Sequence, residues 1–264
     1  MKETRPIITL TTDFGARDPY VGIMKGVILQ IAPDARLVDL THEIAPHDVL
    51  EGALALEAAA GFFPPGTVHL AVVDPGVGSS RRPVAVAAQG QFFVGPDNGL
   101  FSFVLARQGW SAVCLEAAAY RLPRVSGTFH GRDVFAPAAA HLALGTPLAS
   151  FGRAVTDPVL IPWPRARREG EALVGEVVHA DRFGNLVTSV KAADLEGLGP
   201  SESLVVEVEG KEVVGVVGCY ADLPGGGAGA LVGSSDRLEI SVREGSAAAS
   251  TGARRGSRVG VRKR

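Results

Sequence analysis

Three side chains in glycine-bounded turns are of the right type to manage one small polar molecule: Asp74 in VVDPGVGSS, Arg81 in SSRRPVAV and His130 in GTFHGRD. Asp74 closes an apolar run, and Gly76, Gly78 and two serines then turn the chain before Arg81. One reading is a capped hairpin with a surface ion pair. The chemical reading folds Arg81 back over Asp74, so that a carboxylate and a guanidinium hold and polarise something small between them. Arg82 competes for the same role, and its neighbour Arg81 is preferred for its spacing from Asp74. His130 adds an imidazole able to donate or accept. Each residue alone reads equally well as a cap or turn former. Together they matter, because ligands of an open α/β sheet bind outside the carboxyl ends of its strands. Asp13 closes the first strand in TLTTDFG and belongs to the same edge, with an Asx turn as its structural alternative.

THEIAPHD, residues 41–48, gathers His42, Glu43, His47 and Asp48. The histidines lie five apart across a proline, so they share no helical face as an HExxH pair would. The segment is read as a loop that orders the sheet edge, with no metal expected. Further along, ADRFGNLVTSV sets Asp181, Phe183 and Asn185 around one glycine. That is either a type I turn, or an aromatic face for a flat ring with an amide and a carboxylate beside it. Ser234 and Ser235 in LVGSSDRLEIS are turn formers or ring-edge ligands.

The elements needed to position these groups divide the chain. PIITLTTDF, ARLVDLT, TVHLAVVD and PVAVAA read as strands. Between the first two, Val21, Met24, Val27, Ile28 and Ile31 recur at helical spacing until Pro33, with Asp18 and Pro19 expected as N-cap and first-turn residue. Asp48 is expected to cap the next helix, which stops before Pro64-Pro65-Gly66. GRDVFAPAAAHLALG reads as a helix in which Pro137 makes a kink or sits in the first turn. This alternation predicts an α/β domain over residues 1–156 with a mostly parallel sheet. Residues 157–170, rich in proline and carrying the solvated RARR, read as a linker. Residues 171–264 show short alternating segments split by glycine turns and no clear helix, which predicts an all-β barrel.

Composition bounds the function. The 264 residues are 46% hydrophobic and 20% charged, with a formal net charge of -2 and no basic cluster of the kind that binds nucleic acid. Cys114 and Cys219 form no CxxC pattern, so neither a disulfide framework nor structural zinc is expected, and a reducing cytoplasm suits the chain. The opening MKETRPIITLTTDF lacks the apolar run of a leader, and no segment approaches the ~18 apolar residues of a membrane span.

The motifs TLTTDFGARDPYVGIMKGVI, VVDLTHEIAPHDV, FFPPGTVHLAVVDPGVGSSRRPVAV, VGPDNGLFS, TFHGRDVFAPAAAHLA, DRFGNLVTS and LVGSSDRLEI, in this order along nearly the whole chain, resemble the S-adenosyl-L-methionine (SAM) hydroxide adenosyltransferases. These are SAM hydrolases related to the SAM-dependent chlorinase and fluorinase. The resemblance implies an N-terminal α/β domain, a C-terminal barrel and a homotrimer whose sites lie between one subunit's N-domain and its neighbour's C-domain. It implies SAM as substrate, water as nucleophile, adenosine and methionine as products, and no cofactor. The family's catalytic set falls on Asp74, Arg81 and His130, and its ribose-binding carboxylate on Asp13. Its adenine and methionine contacts fall on Asp181, Phe183, Asn185, Ser234 and Glu239. Where the halogenases carry a tyrosine and a threonine in the turn, this chain has Asp74 and Val77, and Gly131 follows His130 in place of a halide-pocket hydroxyl. A carboxylate there repels halide and favours water. Two other readings stay open: a metal-dependent nucleotide hydrolase using Asp13, Asp74, His42 and His130, and a SAM- or adenosine-binding protein without turnover.

Overall fold

The computed structural model describes residues 5–264; residues 1–4, the start of the opening segment read above, lie outside them. The chain forms two compact units, ending and beginning at Pro162 and Trp163. No helix among the described residues is long and apolar enough to cross a membrane.

The first unit runs β1 (Ile7–Thr12), α1 (Tyr20–Ile31), β2 (Arg36–Thr41), α2 (Val49–Ala60), β3 (Val68–Val72), β4 (Pro83–Ala88), β5 (Gln91–Pro96), α3 (Ser102–Leu105), β6 (Ser111–Cys114) and α4 (Ala136–Ala143). The sheet order is β2-β1-β3-β5-β4-β6. The expected mostly parallel sheet is met in part, the sheet being mixed: β2, β1, β3 and β5 run parallel, while β4 is antiparallel to both β5 and β6. The reason is local. Ten residues between β3 and β4 are too few for a parallel crossover, which needs a dozen or more. Gln89 and Gly90, at φ 54° and 77°, then close a two-residue hairpin from β4 into β5. The segment from Asp74 to Arg82 therefore arches over the carboxyl end of β5, which lies between β3 and β4.

α1 buries Val21, Met24, Val27 and Ile28 in one core with the sheet and α4. Its expected cap is not made: Pro19 itself occupies the N-cap position, which leaves Asp18 outside the helix. Asp48 caps α2 as expected, its Oδ1 accepting from the Glu51 N–H at 3.0 Å. The helix read from Gly131 onward starts as a π-turn, Gly131–Phe135, before becoming α4. Pro137 has no N–H for the Asp133 carbonyl, and that carbonyl accepts from Leu122 N–H at 2.9 Å instead.

The second unit is a nearly closed barrel. Its strands are β7 (Arg167–Glu169), β8 (Ala172–Ala180), β9 (Leu186–Lys191), β10 (Leu204–Val208), β11 (Lys211–Val214), β12 (Val216–Val217), β13 (Ala228–Val232), β14 (Arg237–Val242) and β15 (Arg258–Lys263). The order is β11-β10-β15-β8-β9-β14-β13-β12, with β7 paired to β8. Only Gly215 separates β11 from β12, so the two ends of that order meet. Two short helices, α5 (Ala192–Leu195) and α6 (Ala247–Thr251), interrupt the strands. β7 takes up part of the segment read as linker, where Arg167 Nε donates to Glu169 at 2.9 Å.

Two features of the first unit make direct predictions. Gly78 has φ +76°, and a Cβ there would lie 2.3 Å from the Gly127 carbonyl oxygen. Gly78→Ala is expected to cost on the order of 1–3 kcal/mol in denaturant unfolding, since it pushes the two loops apart. His69 is fully buried between Phe93 and Phe63, with Nδ1 2.8 Å from Thr9 Oγ1, and burial lowers its pKa to about 4. The unfolded chain binds a proton near pH 6.5 that the folded chain refuses until about pH 4. Stability therefore falls through that window as pH drops, by on the order of 3 kcal/mol at its acid end. His69→Gln should flatten this part of the stability profile measured by urea unfolding; an unchanged slope would assign the acid sensitivity to other groups.

Candidate active site

β1 and β3 end side by side, Thr12 in register with Val72, so Asp13 stands level with Val73 and Asp74 one residue beyond. After Asp74 two tight turns follow, Val77 N–H to the Asp74 carbonyl (3.2 Å) and Ser79 N–H to that of Gly76 (3.1 Å). Ser79 Oγ then accepts from the Arg81 N–H at 3.2 Å. The turns bring Arg81 back over Asp74. Arg81 Nε donates to Asp74 Oδ1 at 2.8 Å and Nη2 donates to Oδ2, a two-point contact with side chains only 9% and 5% exposed.

Arg81 also reaches His130. Nη2 lies 3.0 Å from His130 Nδ1, and a guanidinium can only donate, so Nδ1 is the acceptor and a neutral ring carries its proton on Nε2. Burial, and then the Arg81 charge, lower the His130 pKa, which favours that neutral ring. The guanidinium lies 5.0 Å over the Phe135 ring. Its last nitrogen, Nη1, is buried with no hydrogen-bond partner among the described residues. A buried cationic N–H without an acceptor is costly, and marks a position where a polar atom is expected.

Arg82, the competing arginine, is fully engaged elsewhere. Its Nε donates to the buried Asp97 at 2.8 Å, and its Nη1 and Nη2 to Asp157 Oδ1 and carbonyl at 2.7 and 2.6 Å. Asp97 also accepts from Val159 N–H at 2.8 Å.

Asp13 is held by the segment read as an ordering loop. Its Oδ2 accepts from the His47 N–H at 2.9 Å, and His42 bridges Thr12 Oγ1 (2.9 Å) and Asp39 (3.0 Å) through its two ring nitrogens. The four candidate metal ligands are thus committed differently. Asp74 and His130 both face the Arg81 cation, His42 lies against Thr12 and Asp39, and Asp13 accepts from the His47 N–H; among the described residues no group of three or more His, Cys, Asp or Glu is placed to hold a metal ion.

In the barrel unit Asp181 organises its turn: Oδ1 accepts from the N–H groups of Phe183 (2.9 Å) and Asn185 (2.8 Å), and Oδ2 from the Asn185 amide (2.9 Å). Asp181 and Asn185 thereby satisfy each other, while Phe183 is left 77% exposed. Ser234 is exposed at its turn. Glu239 is buried and pairs with Val187 on β9, just beyond Asn185. It accepts from Tyr220 Oη at 2.7 Å, and this hydrogen bond pushes the phenol up to about 12. Asp181 also acts on that phenol, so Asp181, Tyr220 and Glu239 form one neighbourhood.

The structure thus joins Asp74, Arg81 and His130 directly, sets Asp13 on the neighbouring strand end, and clusters Asp181, Asn185 and Glu239 in the other unit. Three groups escaped the sequence reading. Tyr220 had no signal, since it lies beyond a two-residue strand. Asp133 had one, a carboxylate among apolar residues in a helical run. Phe14, Tyr20 and Phe129, whose rings meet edge to face at 5.3–6.0 Å beside Asp13 and His130, are ordinary apolar residues in sequence.

Comparison with known proteins agrees over the whole chain. The family model for the SAM hydroxide adenosyltransferase N-terminal domain matches residues 8–152, and that for the C-terminal domain residues 175–260. The (R)-S-adenosyl-L-methionine hydrolase of Thermus thermophilus is 43% identical over 97% of this chain and 98% of its own. The protein of that name from Salinispora tropica is 40% identical over 97% of each. A fluorinase of Nocardia brasiliensis is 34% identical over 74% of each chain. Among solved structures, a conserved protein of Thermotoga maritima is 34% identical and superposes with a TM-score of 0.92 over 97% of this chain and 100% of that one. With both domain models matched in order, the chain belongs to the SAM hydroxide adenosyltransferase family.

Proposed function

We propose that this protein hydrolyses SAM to adenosine and L-methionine, with Asp74, Arg81 and His130 holding the attacking water. The observation that carries the reading is the Arg81 guanidinium, which binds Asp74 and His130 and keeps a third, buried N–H group with no acceptor among the described residues. The full-length relatives named (R)-S-adenosyl-L-methionine hydrolase support the substrate, and its (R) sulfonium epimer as the preferred form.

In the reaction the water oxygen bonds to ribose C5′ while the C5′–S bond breaks. The bonding pair goes to sulfur, and methionine leaves as a neutral thioether that needs no proton. The water must lose one. In the tautomer set by Arg81, His130 presents an N–H rather than a lone pair on Nε2, so it orients the nucleophile; Asp74, with a lone pair left on each oxygen, takes the proton and passes it to solvent. Arg81 stabilises the hydroxide-like oxygen as charge develops. Holding water in line is the main contribution, of order 7–11 kcal/mol for well-oriented groups. Asp13 binds the ribose hydroxyls. Asp181, Phe183, Asn185, Ser234 and Glu239 receive adenine and methionine. Membership of the family supports a homotrimer, in which the exposed Phe183 ring is available for contact. A carboxylate at residue 74 opposes chloride or fluoride in the nucleophile position, which separates this reading from that of the fluorinase relatives. The free Cys114 and Cys219 suit work in the cytoplasm.

Chromatography of SAM incubations tests the reading. Adenosine and methionine are expected, undiminished by chelator, with the (R) epimer consumed faster; no turnover would leave a binding protein. Arg81→Ala should abolish release while SAM still binds by calorimetry, and full activity in that variant would remove Arg81 from the chemistry. In ¹⁸O-water the label should appear on the adenosine 5′ oxygen. Unlabelled adenosine would rule out attack at C5′.

A further inference from the structure

We propose that Asp133 is a positioning residue, fixing both His130 and the turn that carries Arg81; the idea rests on the catalytic reading of those two residues. Its side chain is fully buried, and both carboxylate oxygens are used. Oδ1 accepts from Arg132 Nε at 2.6 Å; Oδ2 accepts from Arg132 Nη2 at 3.0 Å and from the Ser126 N–H at 2.8 Å. Its backbone does more of the same work. The Asp133 N–H donates to the Phe129 carbonyl at 3.2 Å, and its carbonyl, released by Pro137, accepts from Leu122 at 2.9 Å. One residue therefore ties down residues 122, 126 and 129 of the loop leading to His130.

That loop in turn seats the Arg81 turn. The Gly127 carbonyl sits against Gly78, so close that no side chain fits between them. Arg132 covers Phe129 at 5.2 Å, closing the loop from outside. The pieces that set the Arg81–His130 distance, the π-turn on one side and the Gly78–Gly127 contact on the other, both trace back to Asp133. Its charge matters as well as its shape. A buried carboxylate is retained at a desolvation cost that a neutral amide would avoid. Its field also reaches His130, which faces Arg81, Asp74, Asp133 and Arg121. The two anions favour a proton on the ring; the two cations and burial oppose it.

Asp133→Asn keeps the shape and an acceptor for Ser126 while removing the charge and its hold on Arg132. Imidazole ¹⁵N spectra of wild type should show His130 as one tautomer, protonated on Nε2. In the variant the tautomers should mix, the His130 titration should move to lower pH, and kcat for SAM should fall about a hundredfold with KM unchanged. Unchanged kcat, or a fall in kcat with the His130 tautomer and titration unmoved, would overturn the proposal. If circular dichroism shows Asp133→Asn unfolded, Arg132→Gln carries the test. Losing that cation leaves Asp133 less compensated, so His130 should titrate at higher pH than in wild type, and an unmoved titration overturns the idea. Wild-type protein that releases no adenosine would sink the hydrolase reading alone, because the spectra need no turnover.

Discussion

A nearly buried cation has to be neutralised where it stands, and in this protein that requirement falls on Arg81. Asp74 meets it with two parallel hydrogen bonds. Such a pair adds little net stability, because removing both charges from water offsets most of their attraction. What the pair supplies is direction. With Nε and Nη2 committed, the guanidinium plane is fixed, and its Nη1 edge and the His130 ring inherit fixed orientations from it. The double turn after Asp74, the glycine contact with the neighbouring loop and the mixed sheet beneath are all means of delivering one planar group at one angle.

Arg82 shows how adjacent identical residues are kept apart. Successive residues entering a strand point to opposite faces, so Arg82 is directed to Asp97 and Asp157 while Arg81 turns to Asp74. Arg82 also anchors the stretch that follows the first unit's last helical turn, through Asp157 and the Val159 N–H on Asp97. The same dipeptide thus serves chemistry with one side chain and chain routing with the other.

The parts of this arrangement that were legible in sequence were those governed by short-range rules. The Asp74–Arg81 spacing encodes its own turn, α1 and α2 announce themselves by apolar periodicity, and Asp48 caps as its type and place suggest. The parts that were not legible depend on partners distant in sequence. β5 pairs between β3 and β4 through a Gln89-Gly90 turn in which a non-glycine residue takes positive φ, a choice no propensity rule foresees. Asp18 is a good cap by type but is displaced by one residue. The π-turn at Gly131 follows from where the Asp133 carbonyl finds its donor, Leu122, eleven positions upstream. The pairing of Tyr220 with Glu239 needs three strands of the barrel in place before the two residues meet.

β15 lies between β10 and β8, in the middle of the barrel wall, although it comes last in sequence. During synthesis the α/β unit has all its strands early and is free to fold as it emerges, whereas the barrel wall stays open between β8 and β10 until this segment has been made. Until then the inward residues of β8 and β10, Leu173, Val177 and Val206 among them, remain wet. The emerging chain is therefore at its most aggregation-prone before β15 is made, and loss of that strand would leave the facing edges of β8 and β10 unpaired while sparing the sheet of the first unit.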